Sequence, residues 1–387
     1  MNTQSTSASY AVLVPVMLSF FVMSFCDLAG IGVDHAKADF HLSNRMAQMI
    51  PMAVFVWFFL LSVPVGILQD RIGKRNMVNI GMTATAAGLI LPVVIYTWPV
   101  LLIGFVLIGV GNTIMQVSAN PLLMDVVSPR SRSSAMNFAQ FIKALGSMVA
   151  PYVAVMFAHR FGDWRLTFLA FGVISILSVI WLAVTPVKEK MGSEERATMG
   201  SVLKLLRIPY VVMMVLGIFF VVGIDVGINA TSGQFLMDTL GMDADPAMKG
   251  RSLYFFGKML GTFLGAMLLT RIKPGLYLLI TSLATVATIT VFLFASIPTT
   301  AQVMLFLIGL AAAAIFPLIF TITVSRYEKY ANELSGLMIM AVSGGAFIPP
   351  LVGWLADATS MHTAMFLFLG CALYLLVIAL PAQKKRQ

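Results

Sequence analysis

Four ionisable side chains stand inside long apolar runs: Asp27, Lys143, Asp225 and Lys258. A charge at the centre of a hydrocarbon layer costs about 2.5–3.5 kcal/mol on insertion scales, so such residues normally face a bundle interior and are usually functional. The two carboxylates offer oxygen ligands, which suit a proton or a hard cation such as Na+. The two lysines offer an ammonium for a carboxylate, either one inside the protein or one on a bound molecule. Amide side chains lie in or beside such runs: Gln116, Asn120, Gln140, Asn229 and Gln234. Each amide carries both donors and acceptors, which suits a hydroxyl-rich ligand. The same groups also serve as interhelical hydrogen bonds worth about 0.6 kcal/mol on average.

The runs that hold these residues fix the class of molecule. The chain has 387 residues, 59% hydrophobic and only 11% charged. A soluble domain carries about 25% charged residues, so a water-soluble enzyme is excluded. Apolar runs of roughly 20 residues match the length needed to cross a bilayer. Twelve are read, at 10–33, 47–68, 77–96, 100–124, 135–158, 164–186, 208–232, 251–269, 275–296, 300–323, 333–356 and 361–380. The polar stretch 187–207 divides them into a bundle of six spans over 1–186 and a second over 208–387, and its end, Ser201 to Arg207, reads as a short helix lying on the membrane surface.

The net charge of +9 does not imply nucleic acid, because the basic residues fall between apolar runs rather than on one face. With the N-terminus cytoplasmic, the inward segments hold Arg71, Lys74, Arg75, Arg130, Arg132, all of the linker's lysines and arginines, Arg271, Lys273, Arg326 and Lys329, and few basic residues face out. The positive-inside rule then puts both termini in the cytoplasm of a multi-pass protein of the plasma (inner) membrane. The first twelve residues carry no charge and no cleavage signature, so the first run is read as a helix rather than a signal peptide. Cys26 and Cys371 lie within apolar runs and suggest neither a disulfide framework nor a metal site. The four histidines lie near span ends and suggest no metal site or proton relay.

The two halves echo one another. The fourth run carries Asn120-Pro121-Leu122-Leu123 and the tenth Phe316-Pro317-Leu318-Ile319; each is followed by a basic loop and a small-residue start, Ser133-Ser134-Ala135-Met136 or Ser335-Gly336-Leu337-Met338. Two six-span repeats related by an axis along the membrane normal are one plan of secondary transporters, with the substrate site near mid-membrane. No filter ring for a channel is seen.

The loop after the second run reads Gly66-Ile-Leu68-Gln-Asp70-Arg71-Ile-Gly73-Lys74-Arg75. It resembles the G-x-L-x-D-R-x-G-R/K-R signature of the major facilitator superfamily. An aspartate at a helix end beside Arg71, Lys74 and Arg75 can lock a cytoplasmic gate through charge-assisted bonds, and Gly73 permits the tight turn. Further stretches resemble the fucose–glucose/galactose permease group: Gln116-Val-Ser-Ala119-Asn120-Pro121, Asn137-Phe-Ala139-Gln140, Gly257-Lys258-Met-Leu-Gly261-Thr262, and Pro350 with Gly353 and Asp357. The resemblance implies an all-α membrane fold of twelve helices in two six-helix bundles, with Asp27, Lys143, Asp225 and Lys258 around one water-filled site.

The departures from that group are informative. Gln116 stands where a fucose/proton permease of the group has a proton-carrying Glu, so that role does not transfer. Asp27 lies about one turn before the group's early aspartate, a position that is Gly30 here. Lys143 replaces a usual Asn. Two roles are open to Lys143: counter-ion for an acidic sugar such as a sialic or uronic acid, or internal partner of Asp27. Lys258 takes the place of a motif arginine and reads as a gating or structural charge.

The expected function is import of a sugar or sugar derivative by symport with H+ or Na+ through alternating access. Gln116, Asn120, Gln140, Lys143 and Asn229 are expected at the substrate and Asp27 and Asp225 at the coupling ion; Gly66, Asp70, Arg71, Gly73, Lys74, Arg75 and Lys258 are expected at the gate. Phe25, Phe141 and Phe316 are possible platforms for a sugar ring. No cofactor, metal or nucleic acid is expected, and the protein is expected to work in the bilayer as a monomer. No nucleotide-binding motif is present, so an ion gradient would supply the energy. An exporter of drugs or metabolites is the nearest rival, but span five reads GSMVAPYVA where multidrug members often have G-P-x-x-G-G. No enzyme activity is expected, because no span holds a nucleophile–base pair.

Overall fold

A computed structural model describes residues 10–28, 32, 35–36, 39–42, 46, 49–189 and 197–382. Gly30 and the middle of the linker, 190–196, lie outside the described residues. The ordered elements are helices: α1 (Tyr10–Met23), α2 (Met49–Ile72), α3 (Lys74–Val94), α4 (Trp98–Val126), α5 (Arg132–Phe161), α6 (Leu166–Val184), α7 (Met199–Leu205), α8 (Pro209–Leu240), α9 (Ala244–Leu268), α10 (Pro274–Leu293), α11 (Pro298–Ala312), α12 (Ile315–Arg326), α13 (Ala331–Met340), α14 (Gly344–Ala358) and α15 (Met361–Ala382). No strand occurs among the described residues.

Among the described residues, eleven segments are long and apolar enough to cross a membrane, and a shorter apolar helix, Ser252–Leu268, supplies the twelfth. Each apolar run read from the sequence overlaps one of them. Proline marks helix starts at Pro209, Pro274 and Pro298, where a missing N–H costs nothing. Two spans are interrupted. The tenth breaks between α11 and α12, just before Pro317; the eleventh passes through a 3-10 turn, Ala341–Ser343, before α14 with its Pro349 and Pro350. The first span likewise tightens into a 3-10 turn, Ser24–Asp27, as it reaches its carboxylate.

Two compact units divide the chain, and each includes a short stretch from the other half of the sequence. Unit 1 is Met1–Arg132, Ile142–Val202 and Glu328–Met340; unit 2 is Ser133–Phe141, Leu203–Tyr327 and Ala341–Gln387. The stretches exchanged are the two small-residue helix starts that the sequence repeats. Within unit 1, α13 crosses α2 at Gly336 and Gly66. A Cβ on Gly66 would lie 2.8 Å from the Asn332 carbonyl oxygen and 2.9 Å from the Gly336 Cα. Ser335 Oγ donates to the Val117 carbonyl of α4. Within unit 2, Ser133 shares a 2.9 Å hydrogen bond with Thr321 of α12, and Ser134 Oγ donates to the Ala266 carbonyl of α9 at 2.6 Å. Small residues allow such backbone approach in an apolar solvent, where packing and hydrogen bonds rather than hydrophobic burial hold helices together.

Unit 1 also buries an ion pair at the start of α3. Lys74 Nζ lies 2.6 Å from Asp125 Oδ2 of α4, with both side chains nearly inaccessible. Removing one member of such a pair leaves an uncompensated charge.

Two stability predictions follow from these contacts. Gly66→Val should cost about 1–3 kcal/mol by overpacking against α13, seen as a lower midpoint of thermal unfolding in detergent; an unchanged midpoint would contradict the close crossing. Asp125→Leu should cost about 3–5 kcal/mol by breaking this buried ion pair, and Lys74→Met added to it should recover most of the loss. Equal stability of the single and double variants would show that the pair carries no such weight.

Candidate functional site

The four intramembrane charges fall into two groups, one in each unit. In unit 2, Asp225 sits midway along α8 and meets two side chains of α9. Lys258 Nζ lies 2.5 Å from Asp225 Oδ2, and Tyr254 donates its hydroxyl to Oδ1 at 2.7 Å. Tyr254 is fully buried, whereas the lysine and aspartate side chains remain 31% and 27% exposed. The crossing of α9 with α11 sets this geometry: Gly257 and Gly261 lie against the Phe306 and Leu310 carbonyls, and Gly309 against the Tyr254 carbonyl. That contact fixes the rotation of α9 and aims Tyr254 and Lys258, one turn apart, at the same carboxylate. Asn229 follows Asp225 by one turn, and its buried Oδ1 has no hydrogen-bond partner among the described residues. Gln140 also belongs to unit 2 and is half-buried.

In unit 1, Asp27 ends the 3-10 turn after α1 and is exposed. Ser147 of α5 donates to its Oδ2, and the Cys26 thiol lies 3.5 Å from its Oδ1. Lys143 stands one turn before Ser147 and is half-buried, yet it forms no ion pair among the described residues. The expected alternative of a direct pair with Asp27 is therefore not formed; the serine takes that place.

A ladder of amides runs up α4 at four-residue spacing. Asn112 donates to the Met23 carbonyl of α1 at 2.8 Å, Gln116 Nε2 donates to Asn112 Oδ1 at 2.9 Å, and Asn120 Nδ2 donates to the Gln116 carbonyl at 2.8 Å. Buried Asn120 Oδ1 is left without a partner among the described residues. The ladder ties α4 to α1 one turn before Asp27. Asn112, Ser147 and Tyr254 were not singled out from the sequence. The signal was there, since each lies four residues from a residue that was: Gln116, Lys143 and Lys258.

Of the three aromatic platforms, Phe25 needs correction. Phe25 is fully buried and stacks on Phe171 with centroids 4.4 Å apart, so its ring faces are taken up by packing. Phe141 leans on Phe263 at 5.2 Å and Phe316 on Phe320 at 6.3 Å, both half-buried.

The loop after α2 is bonded differently from the charge lock expected. Asp70 accepts from the Asn332 side-chain amide at 2.8 Å and from the Ala197 backbone N–H at 3.0 Å, both neutral donors. The neighbouring cations are engaged elsewhere. Lys74 reaches Asp125, and Arg75 donates to the Thr185 carbonyl at 2.8 Å. Glu189 of the linker accepts from the backbone N–H groups of Lys74 and Arg75, 2.6 and 3.0 Å away, at the N-terminus of α3, where a negative charge is favoured. Gly73 makes the intervening turn at φ +90°, a conformation that side chains rarely adopt. Arg71 is exposed. Glu333 of α13, next to Asn332, accepts from Ser201 at 2.8 Å, and Arg132 pairs with Glu328.

A polar cluster among the loops of unit 1 also escaped sequence reading. Asp39 accepts from the Tyr96 hydroxyl at 2.5 Å and from Trp164 Nε1 at 3.2 Å, while Arg165 lies over the Tyr96 ring and pairs with Asp163. Burial and then the hydrogen bond to Asp39 push the Tyr96 hydroxyl well above its ordinary range, which keeps it a donor. No cluster of three or more metal-ligating side chains occurs among the described residues.

Known proteins resemble the chain along almost its whole length. It is 28% identical over 396 residues to a glucose/galactose transporter of Brucella abortus, covering 96% of this chain and 94% of that one. It is 22% identical over 394 residues to the L-fucose-proton symporter of Escherichia coli, covering 91% and 88%. Its fold superposes on a crystal structure of the Escherichia coli fucose:proton symporter with a TM-score of 0.85, at 18% identity, over 96% of this chain and 98% of that one. A proton:xylose symporter structure gives 0.76 at 16% identity, over 97% and 95%. The family model of the Major Facilitator Superfamily matches residues 12–250, more than half the chain. With its all-helical, twelve-span fold, the chain belongs to the Major Facilitator Superfamily.

Proposed function

We propose that this protein is a secondary active transporter that imports a sugar or sugar derivative by cation symport. The observation that carries this reading is the likeness to a glucose/galactose transporter across nearly the full length of both chains. It works in the plasma (inner) membrane with both termini in the cytoplasm, as the distribution of Lys and Arg suggests. The moving bodies are the halves 1–186 and 208–387, joined by the linker 187–207, and the cycle is one of alternating access. The amides of Gln116, Asn120, Gln140 and Asn229 hold sugar hydroxyls, each offering donors and acceptors. Gly66, Asp70, Arg71, Gly73, Lys74 and Arg75 serve the gate. The coupling carboxylate is Asp27 or Asp225, and the ion is H+ or Na+.

One observation favours a narrower substrate class. The Lys143 ammonium is half-buried in a spanning helix with no ion-pair partner among the described residues. Its cost is offset when a substrate carboxylate binds beside it, so an acidic sugar, a uronic or sialic acid, is the second reading. A neutral hexose would leave that charge to water and the nearby hydroxyls.

Thermal unfolding of the purified protein, with neutral hexoses, uronic acids and sialic acid added in turn, separates these readings. A sugar at 100 times its Kd should add about 2.7 kcal/mol to the folded state. If an acidic sugar stabilises the protein, Lys143→Asn should abolish that effect and leave a folded protein. Retention of acidic-sugar affinity in Lys143→Asn would exclude the carboxylate reading, and no response to any sugar would overturn sugar transport itself.

A further inference from the structure

The carboxylate of Asp225 is the one deep acidic group of unit 2 held on both oxygens by side chains, by an ammonium on Oδ2 and a phenol on Oδ1. The pair lies in the middle of two spanning helices and is nonetheless almost a third exposed. Lipid at that depth does not tolerate exposed charge, so the open side faces water. The other helices packed on α8 bring no second charge to it. Their ionisable side chains are Arg326 at the end of α12, stacked over Tyr210; Asp357 near the end of α14; and His362, Cys371 and Tyr374 on α15, of which His362 meets the Leu293 carbonyl and Tyr374 donates to the Met213 carbonyl. α11 carries none.

We infer that Asp225, Lys258 and Tyr254 form the proton-coupling site of the transport cycle, with Lys258 shared between Asp225 and the substrate. The inference rests on the sugar-symport reading and makes it more specific. With Lys258 in place the carboxylate is balanced and has no use for a proton. A sugar oxygen, hydroxyl or carboxylate, that draws the ammonium away leaves Asp225 with only the Tyr254 hydroxyl. A partly desolvated carboxylate with no cation takes a proton from the water on the side where the sugar entered. The proton adds to the freed Oδ2, Lys258 remains an ammonium, and the triad gains one positive charge. When the sugar leaves on the other side, Lys258 returns to Asp225 and expels the proton into the water there. Sugar and proton therefore favour each other's binding, as linkage requires.

The experiment adds D-glucose, D-galactose or D-glucuronate to purified protein in weakly buffered solution and follows pH with an indicator dye, with sugar binding measured in parallel by thermal shift. Wild type should take up about one proton per bound sugar. Asp225→Asn should still bind sugar, with proton uptake lost. Lys258→Gln should bind more weakly, also without uptake, because no ammonium remains for the sugar to draw away from Asp225. Where Asp225→Asn is unstable because Lys258 is stranded, the neutral double variant Asp225→Asn/Lys258→Gln serves in its place and should bind sugar as weakly as Lys258→Gln, without taking up protons. Proton uptake at wild-type stoichiometry in the double variant overturns the inference, as does uptake that is lost in Asp27→Asn but kept in Asp225→Asn. Wild-type binding of sugar without any proton uptake overturns the inference and leaves sugar transport standing. Absence of binding by wild type removes the sugar reading and the inference with it.

Discussion

A charge cannot be left uncompensated in hydrocarbon, and this constraint organises the molecule. Asp225 meets Lys258 and Tyr254; Lys74 meets Asp125; Asp27 takes a serine hydroxyl. Where a charge is incompletely matched, as at Lys143, water or a ligand has to complete it. The helices are placed so that these encounters occur. The Gly257–Gly261 face of α9 packs on α11 closely enough to set the rotation that aims Tyr254 and Lys258 at Asp225.

The same constraint acts on the backbone. Apolar surface gives helices in a bilayer no reason to associate, so contact depends on small residues and hydrogen bonds. The paired starts at Ser133-Ser134 and Ser335-Gly336 show both. Each is a short stretch grouped with the unit built mainly from the other half of the sequence, and each makes hydroxyl hydrogen bonds there. Asp70 then finds neutral donors on Asn332 and on the linker backbone, while Glu189 covers the N-terminus of α3.

Much of the fold was legible because a membrane span is a long signal: each apolar run became a helix, and the Asn120-Pro121 and Phe316-Pro317 echo reappears as two helix–3-10–helix passages. The intramembrane charges were equally legible, since a charge in such a run has few innocent explanations. Their partners were not. Whether Lys143 or Ser147 meets Asp27 depends on which side of α5 faces α1, and whether Lys258 belongs to a gate or to Asp225 depends on the rotation of α9. Composition says nothing about either rotation. Phe25 was misplaced for the same reason: a ring in an apolar run can point into the core or a cavity, and here Phe171 covers it. The loop cluster of Asp39, Tyr96, Trp164 and Arg165 joins residues far apart in the chain, with no spacing to betray it.

The most direct test of the account is uphill uptake of radiolabelled D-glucose, D-galactose and D-glucuronate into proteoliposomes under imposed gradients. The account predicts that one of these sugars accumulates when protons are driven inward in the absence of Na+, and that collapsing the proton gradient with an uncoupler stops accumulation while leaving sugar exchange intact. Accumulation that requires a Na+ gradient and ignores the uncoupler would contradict it.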